Sequence, residues 1–169
     1  GQFEDISLQQ GIRQILYPYE EMEVLNPEWE VILKDIIDSL FEQMSDEEYN
    51  ILNEEFGTYM VSRAYEYRQL LEYLVFRYFA KSIYDYDFLG KCQMLVTNFF
   101  VIRQMDIIRW LDNHREYSFK DRMDVVHIFS RQVEYSEDNI ENLYEDFIFD
   151  DIFKTDSLIA ILWIDSENI

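Results

Sequence analysis

Few residues in this chain have the type and setting to do chemistry. In the stretch YEYRQLLEYLVFRYFAKSIYDYD, residues 65–87, tyrosines and phenylalanines are interleaved with Arg68, Arg77, Lys81 and Glu72. Such a mixture suits three uses: rings on which nucleic-acid bases stack, a cofactor slot, or the inner face of a helical bundle. Set at 100° per residue, Ala64, Tyr67, Leu71, Leu74, Val75 and Tyr78 share one broad face, with Glu66, Gln69, Tyr73 and Arg77 opposite. Most of the rings are therefore expected to turn inward, as the core of a bundle. Arg68 and Glu72 lie one turn apart beside Val75 and Phe79, at the edge of that face, where half-burial is expected.

A second charge sits against its chemistry. Arg103 falls in line with Val96, Phe99, Ile107 and Trp110, a seam that is otherwise apolar. A guanidinium drawn into such a seam must be paired, and Glu72 is the first expected partner, Asp106 the second. Arg68, Glu72, Arg103 and Asp106 thus form the candidate buried polar cluster. It is either an arginine tie between helices or a group facing a substrate or cofactor.

Other chemistries lack their residues. With glycine only at positions 1, 11, 57 and 90, neither a dinucleotide fingerprint nor a phosphate-cradling loop can be written. Nucleophile-elbow and kinase signatures are absent. His114 and His127 do not supply the paired Glu-x-x-His motifs of a di-iron bundle, so they are expected to be capping or core histidines and no metal site is expected. Cys92 is the one cysteine, which excludes an intrachain disulfide and an all-cysteine cluster, fits a cytoplasmic setting, and reads as a small buried hydrophobe.

The elements that must position these residues are helices. A chain of 169 residues, 49% hydrophobic with four Gly and two Pro, has the size of one domain and lacks the turn residues of a β fold. The expectation is all-α: a single helical bundle of about seven or eight helices over residues 1–169, with two long central helices near 58–83 and 91–111. Asn26-Pro27 opens a helix to about residue 44, and Ser45 with Glu48 makes a capping box for the next, ending near Gly57. Ser118 and Ser136 can cap two later helices, the first running to about Tyr135, and shorter helices are expected around 4–16 and 156–164. No repeat or low-complexity tract interrupts them.

Charge narrows the partners. Lys and Arg number 14 against 35 Asp and Glu, a net charge of −21 that repels a phosphate backbone, so nucleic acid is not expected as a partner. The same field attracts a lysine-rich protein, although acidity also serves solubility. No apolar run approaches the ~20 residues that span a bilayer, and no membrane partner is expected.

The stretch EYLVFRYF at 72–79, preceded by YRQLL and followed by LVTNFFVIRQMDII, resembles a segment in the C-terminal helical part of flagellin lysine-N-methylase-like proteins. Glu72, Tyr73, Leu74, Arg77 and Phe79 match that motif. LYPYEEMEVLNPEWEVIL at 16–33 and VVHIFSRQVEYSEDNIENL at 125–143 are similar to two further segments of the same proteins. The resemblance implies a parent enzyme that transfers methyl groups from S-adenosylmethionine to flagellin lysines. It also implies a cysteine-rich region ahead of the helical part, possessed by the family and not by this chain. On that reading the chain, which begins at Gly1, is the C-terminal portion of a longer protein, holds no cofactor by itself and is not catalytically complete. Two other readings stay open: an acidic helical protein-interaction domain, and the ligand-sensing helical domain of a regulator.

Overall fold

Short polar side chains set the helix starts, largely where their spacing predicts. The computed structural model describes residues 6–80 and 87–167, and over them the chain is all-α with no strand. Helix α1, Leu8–Glu20, begins at Ser7, whose hydroxyl accepts from the Gln10 N–H. Helix α2, Pro27–Ile36, has Asn26 as cap and Pro27 at its first position, then widens into a π-helical segment, Ile37–Glu42. The expected Ser45–Glu48 capping box opens α3, Asp46–Met60. A 3₁₀ turn, Val61–Arg63, leads to α4, Ala64–Phe79. Asp87 caps α5, Phe88–Asp112. Ser118 and Asp121 form a second capping box at α6, Phe119–Phe129, which ends in another π-helical segment, Ser130–Glu134. Ser136 caps α7, Glu137–Phe149; a 3₁₀ turn, Asp151–Phe153, and α8, Thr155–Glu167, follow.

Several boundaries differ from expectation, α5 for one beginning at Phe88 rather than near 91. Gly57 does not end α3, because no glycine among the described residues has the positive φ of a helix C-cap; the break comes at Val61–Arg63 instead. The helix expected over 58–83 is therefore α4 alone, its final expected residues 81–83 lying outside the described ones. Helix α1 continues through Pro18, whose missing N–H removes a single bond close to the helix end.

The core is organised around α5. Every residue from 100 to 108 is buried, so this helix has no solvent face along its middle. Helices α1, α2, α4, α6, α7 and α8 all pack on it. Its apolar residues Phe100, Val101, Ile102, Met105, Ile107 and Ile108 share one core with two groups of touching rings, Tyr19, Trp29 and Phe129, and Phe56, Tyr117 and the helix's own Trp110. Each such side chain contributes about 1.5–3 kcal/mol on burial, which keeps α5 central despite its buried Asn98, Arg103, Gln104 and Asp106. No described helix is long and apolar enough to cross a membrane.

On α4 the inward stripe is Glu66, Leu70, Leu74 and Tyr78, rotated from the expected face. Ala64 and Val75 are exposed, as are Tyr65, Tyr73 and Phe76, while Tyr67, Tyr78 and Phe79 turn inward. Hydrophobic periodicity misplaced the stripe because a buried ion pair draws Glu66 in, as shown below.

Candidate functional site

The π-helical segment after α6 carries a buried carboxylate, Glu134, 6% exposed. A π turn is a local rewinding of a helix and often marks a site where a side chain must be re-aimed. Here it delivers Glu134 to two tyrosines of α4: Tyr78 donates to Oε1 and Tyr73 to Oε2, both at 2.8 Å. Ser130 also donates to Oε2 at 2.8 Å, and Arg77 Nη2 reaches the Glu134 carbonyl at 3.4 Å. The chain of bonds continues inward, because Asn98 Nδ2 donates to the Tyr78 hydroxyl at 2.7 Å and Tyr19 donates to Asn98 Oδ1. Burial raises the Tyr78 and Tyr73 hydroxyls above their ordinary range, and the adjoining Glu134 carboxylate adds to the rise, so both act as donors. Three hydroxyls occupy three of the roughly four acceptor directions of a carboxylate, and one direction on Oε1 remains.

This arrangement joins all three segments that carry the family resemblance. Tyr73, Arg77 and Tyr78 come from 72–79, Ser130 and Glu134 from 125–143, and Tyr19 from 16–33. Gln132, in the same π segment, accepts from the N–H groups of Leu25 and Asn26 and donates to the Glu23 carbonyl, tying down the start of α2. Sequence reasoning did not single out Glu134. The available signal was a carboxylate inside a matched segment, four residues beyond Ser130.

A second polar cluster forms around Asp106, which is fully buried. Tyr67 donates to Oδ2 at 2.7 Å, Tyr117 donates to Oδ1, and Arg122 Nη1 contacts Oδ2 at 2.6 Å. The Arg122 guanidinium stacks over Tyr67 and Tyr117, 4.7 and 5.4 Å from their centroids, and lies 3.5 Å from Glu66 Oε2. Arg63 bonds the other Glu66 oxygen at 2.7 Å. Two arginines thus face two carboxylates, with Arg63 at the partly exposed edge and Arg122, Glu66 and Asp106 buried. Chemically this is a tie holding α4, α5 and α6 together rather than a free base.

The four residues expected to form one buried cluster are separated. Arg68 and Glu72 pair with each other at 2.9 Å on the surface, their side chains 80% and 62% exposed; the apolar face they were expected to border is turned away from them. Glu72 does not reach Arg103, and Asp106 pairs with Arg122 instead. Arg103 is buried as expected, 5% exposed, but its carboxylate is Asp165 of α8, at 3.7 Å from Nη2. That partner lies outside both helices considered, near the chain's end, where helical periodicity gives no pairing information. Arg103 also lines a cavity of about 240 Å³ between α3, α4 and α5, with Phe56, Gly57, Met60, Val61, Ala64, Tyr67 and Phe99.

His114 and His127 are both exposed, so neither is a core histidine. His114 and Arg115 adopt positive φ, 56° and 67°, in the turn that ends α5, where Arg115 N donates to the Trp110 carbonyl at 2.7 Å. Cys92 is only partly buried, and burial raises its thiol above its ordinary range, away from nucleophile character at neutral pH. Among the described residues no three His, Cys, Asp or Glu side chains converge on a point that could hold a metal ion.

Residues 2–161 match the family model described as FliB lysine N-methylase C-terminal domain. No curated protein and no solved structure matches the chain.

Proposed function

This chain belongs to the family of FliB lysine N-methylase C-terminal domains, and from that premise we propose that it is the C-terminal, substrate-receiving portion of an enzyme that methylates flagellin lysines with S-adenosylmethionine. The observation that carries the reading is the family match along residues 2–161. Charge supports it: at −21 the domain draws a lysine-bearing protein towards itself over the range of a Debye length, about 8 Å in physiological salt.

Lysine methylation requires the ε-amine to be held, neutral and in line, against the methyl donor. The described residues do not fit the donor. Gly11, Gly57 and Gly90 all lie inside helices, and no glycine-rich turn lets backbone approach a nucleoside closely. In this proposal the donor and the cysteine-rich region of the family belong to the part of the enzyme outside this chain, and the present residues recruit and orient the acceptor.

The test is a transfer assay with a radiolabelled donor and purified flagellin. The parent enzyme should label flagellin lysines, and the 169-residue chain alone should not. The chain alone should still bind flagellin, with an affinity that falls steeply from 50 to 300 mM salt. Failure of the parent enzyme to label lysine, or full transfer by the chain alone, overturns the proposal.

A further inference from the structure

Helix α2 and the π-helical segment after it set Glu30, Lys34, Asp38 and Glu42 at four-residue steps. Such steps keep side chains on one side of a helix, so these four make a ridge. Leu33 and Ile37, four residues apart and buried, run beside it. Between this ridge and the end of α1 lies a groove of about 380 Å³, with Glu20 and Val24 on the far side and Tyr19 and Trp29 closing its base. Val24 is 46% exposed, so apolar surface stays open to solvent there.

The charge of this groove is one-sided. Its lining carries four carboxylates against one ammonium, whereas three other grooves, beside Arg13, Arg109 and Lys154, each carry two carboxylates against one cation. A concave surface lined by one sign of charge focuses its field on what enters. Two of the four carboxylates are engaged, Glu20 with Arg13 and Asp38 with Lys34, both at 2.6 Å. Glu30 and Glu42 are exposed and make no hydrogen bond or ion pair with a described residue. They stand at the two ends of the ridge, roughly 16 Å apart at a helical rise of about 1.5 Å or slightly less per residue. One lysine already shows what the groove does to an ammonium: Asp38 first, then Glu42 and Asp35, raise Lys34 above its ordinary range against the opposing effect of desolvation.

We propose that this groove docks an extended segment of a partner protein with the pattern lysine, any residue, apolar residue, any residue, lysine. A strand rises about 3.3 Å per residue, so two lysines four apart lie about 13 Å from each other on one side of it. Their methylene stems supply the remaining reach to Glu30 and Glu42, and the apolar residue between them faces Val24, Leu33 and Ile37. Methyl transfer needs a neutral amine, and these carboxylates favour the ammonium, so the docked lysines are not the reacting ones. Assigning the segment to the methyl acceptor rests on the reading above; the docking itself does not.

Methyl NMR on the 169-residue chain tests it, with the peptide acetyl-Gly-Lys-Ala-Val-Ala-Lys-Gly-amide as probe and the same peptide carrying norleucine for both lysines as its neutral counterpart. The lysine peptide should shift the methyl signals of Val24, Leu33 and Ile37 and bind at least ten-fold more tightly than the norleucine peptide. Glu30→Gln with Glu42→Gln, both at exposed positions, should remove that preference while the remaining spectrum stays that of the folded chain. Glu54→Gln with Glu141→Gln takes the same charge from exposed positions of α3 and α7 outside the groove, and should keep it. Equal binding of the two peptides, a preference retained without Glu30 and Glu42, the same loss without Glu54 and Glu141, or shifts confined to other methyl groups overturns the proposal. No methyl donor enters this experiment, so its failure leaves the transfer assay standing, and failure of the transfer assay leaves the docking standing.

Discussion

The Tyr78 hydroxyl stands 2.8 Å from Oε1 of Glu134 and 2.7 Å from Nδ2 of Asn98, donating to the first and accepting from the second. One oxygen therefore satisfies partners on α5 and on the π segment after α6. Tyr78→Phe would leave a buried amide N–H and a buried carboxylate oxygen unmatched, at a cost of about 2–3 kcal/mol. Tyr73→Phe removes a bond to the same carboxylate, but Tyr73 is 40% exposed and water can replace its hydroxyl, so under about 1 kcal/mol is expected. Urea midpoints with an unchanged m-value measure both. Equal losses would show that Glu134 is not closed off on the Tyr78 side.

Asp106 is held by two tyrosines and Arg122. Asp106→Asn keeps the shape but strands the Arg122 charge, and roughly 3–5 kcal/mol of stability should go. The double variant Asp106→Leu with Arg122→Met should lose clearly less than the sum of the two single losses, the remaining cost being the Tyr67 and Tyr117 hydroxyls left without their acceptor. Additive losses in chemical denaturation would mean that the pair is not the tie described.

Burial pushes the Asp165 carboxyl above its ordinary 3.8, with Arg103 pulling the other way. A carboxyl with a raised folded-state pKa favours the fold while protonated. Its contribution is complete below pH 3.8 and is lost as pH rises through the raised value. Asp165→Asn has no such loss, so its stability relative to the parent chain should climb as pH is taken upward from about 4. A constant difference across that range would contradict the burial of Asp165.

His114 holds a φ of 56°, a conformation that disfavours a side chain bearing Cβ. Its side chain is exposed, so nothing in the core is lost with it. His114→Gly should raise stability by about 0.5–1 kcal/mol, the relief of left-handed strain exceeding the added freedom of the unfolded chain. A drop in melting temperature would indicate that the imidazole itself stabilises the turn.

Helix existence was legible in the residues, and the pairing of charges was not. Ser45, Glu48, Asn26, Pro27, Ser118 and Ser136 act within one turn, so their roles follow from local spacing. The seam through Arg103 correctly indicated burial, because periodicity reports the azimuth of a helix against its core. What periodicity cannot report is which residue arrives from elsewhere: Asp165 lies 62 positions on from Arg103, and Arg122 reaches Asp106 from a different helix. Glu66 was assigned to solvent for the same reason, since two arginines rather than apolar neighbours draw it inward. The π segments were likewise hidden, and with them the direction in which Glu134 points.

The buried middle of α5 bears on how the chain acquires its structure over time. Half of this helix's wrapping, α1, α2 and α4, is synthesised before it, and the other half, α6, α7 and α8, after it. Until Arg122 and Asp165 have left the ribosome, Asp106 and Arg103 have no oppositely charged partner from the later helices, and the nascent helix would expose a side that is later dry. Folding of this helical unit should therefore complete only after α8 has been synthesised, as one cooperative event. The amides of residues 100–108 should then exchange with deuterium only through global unfolding, the slowest in the molecule.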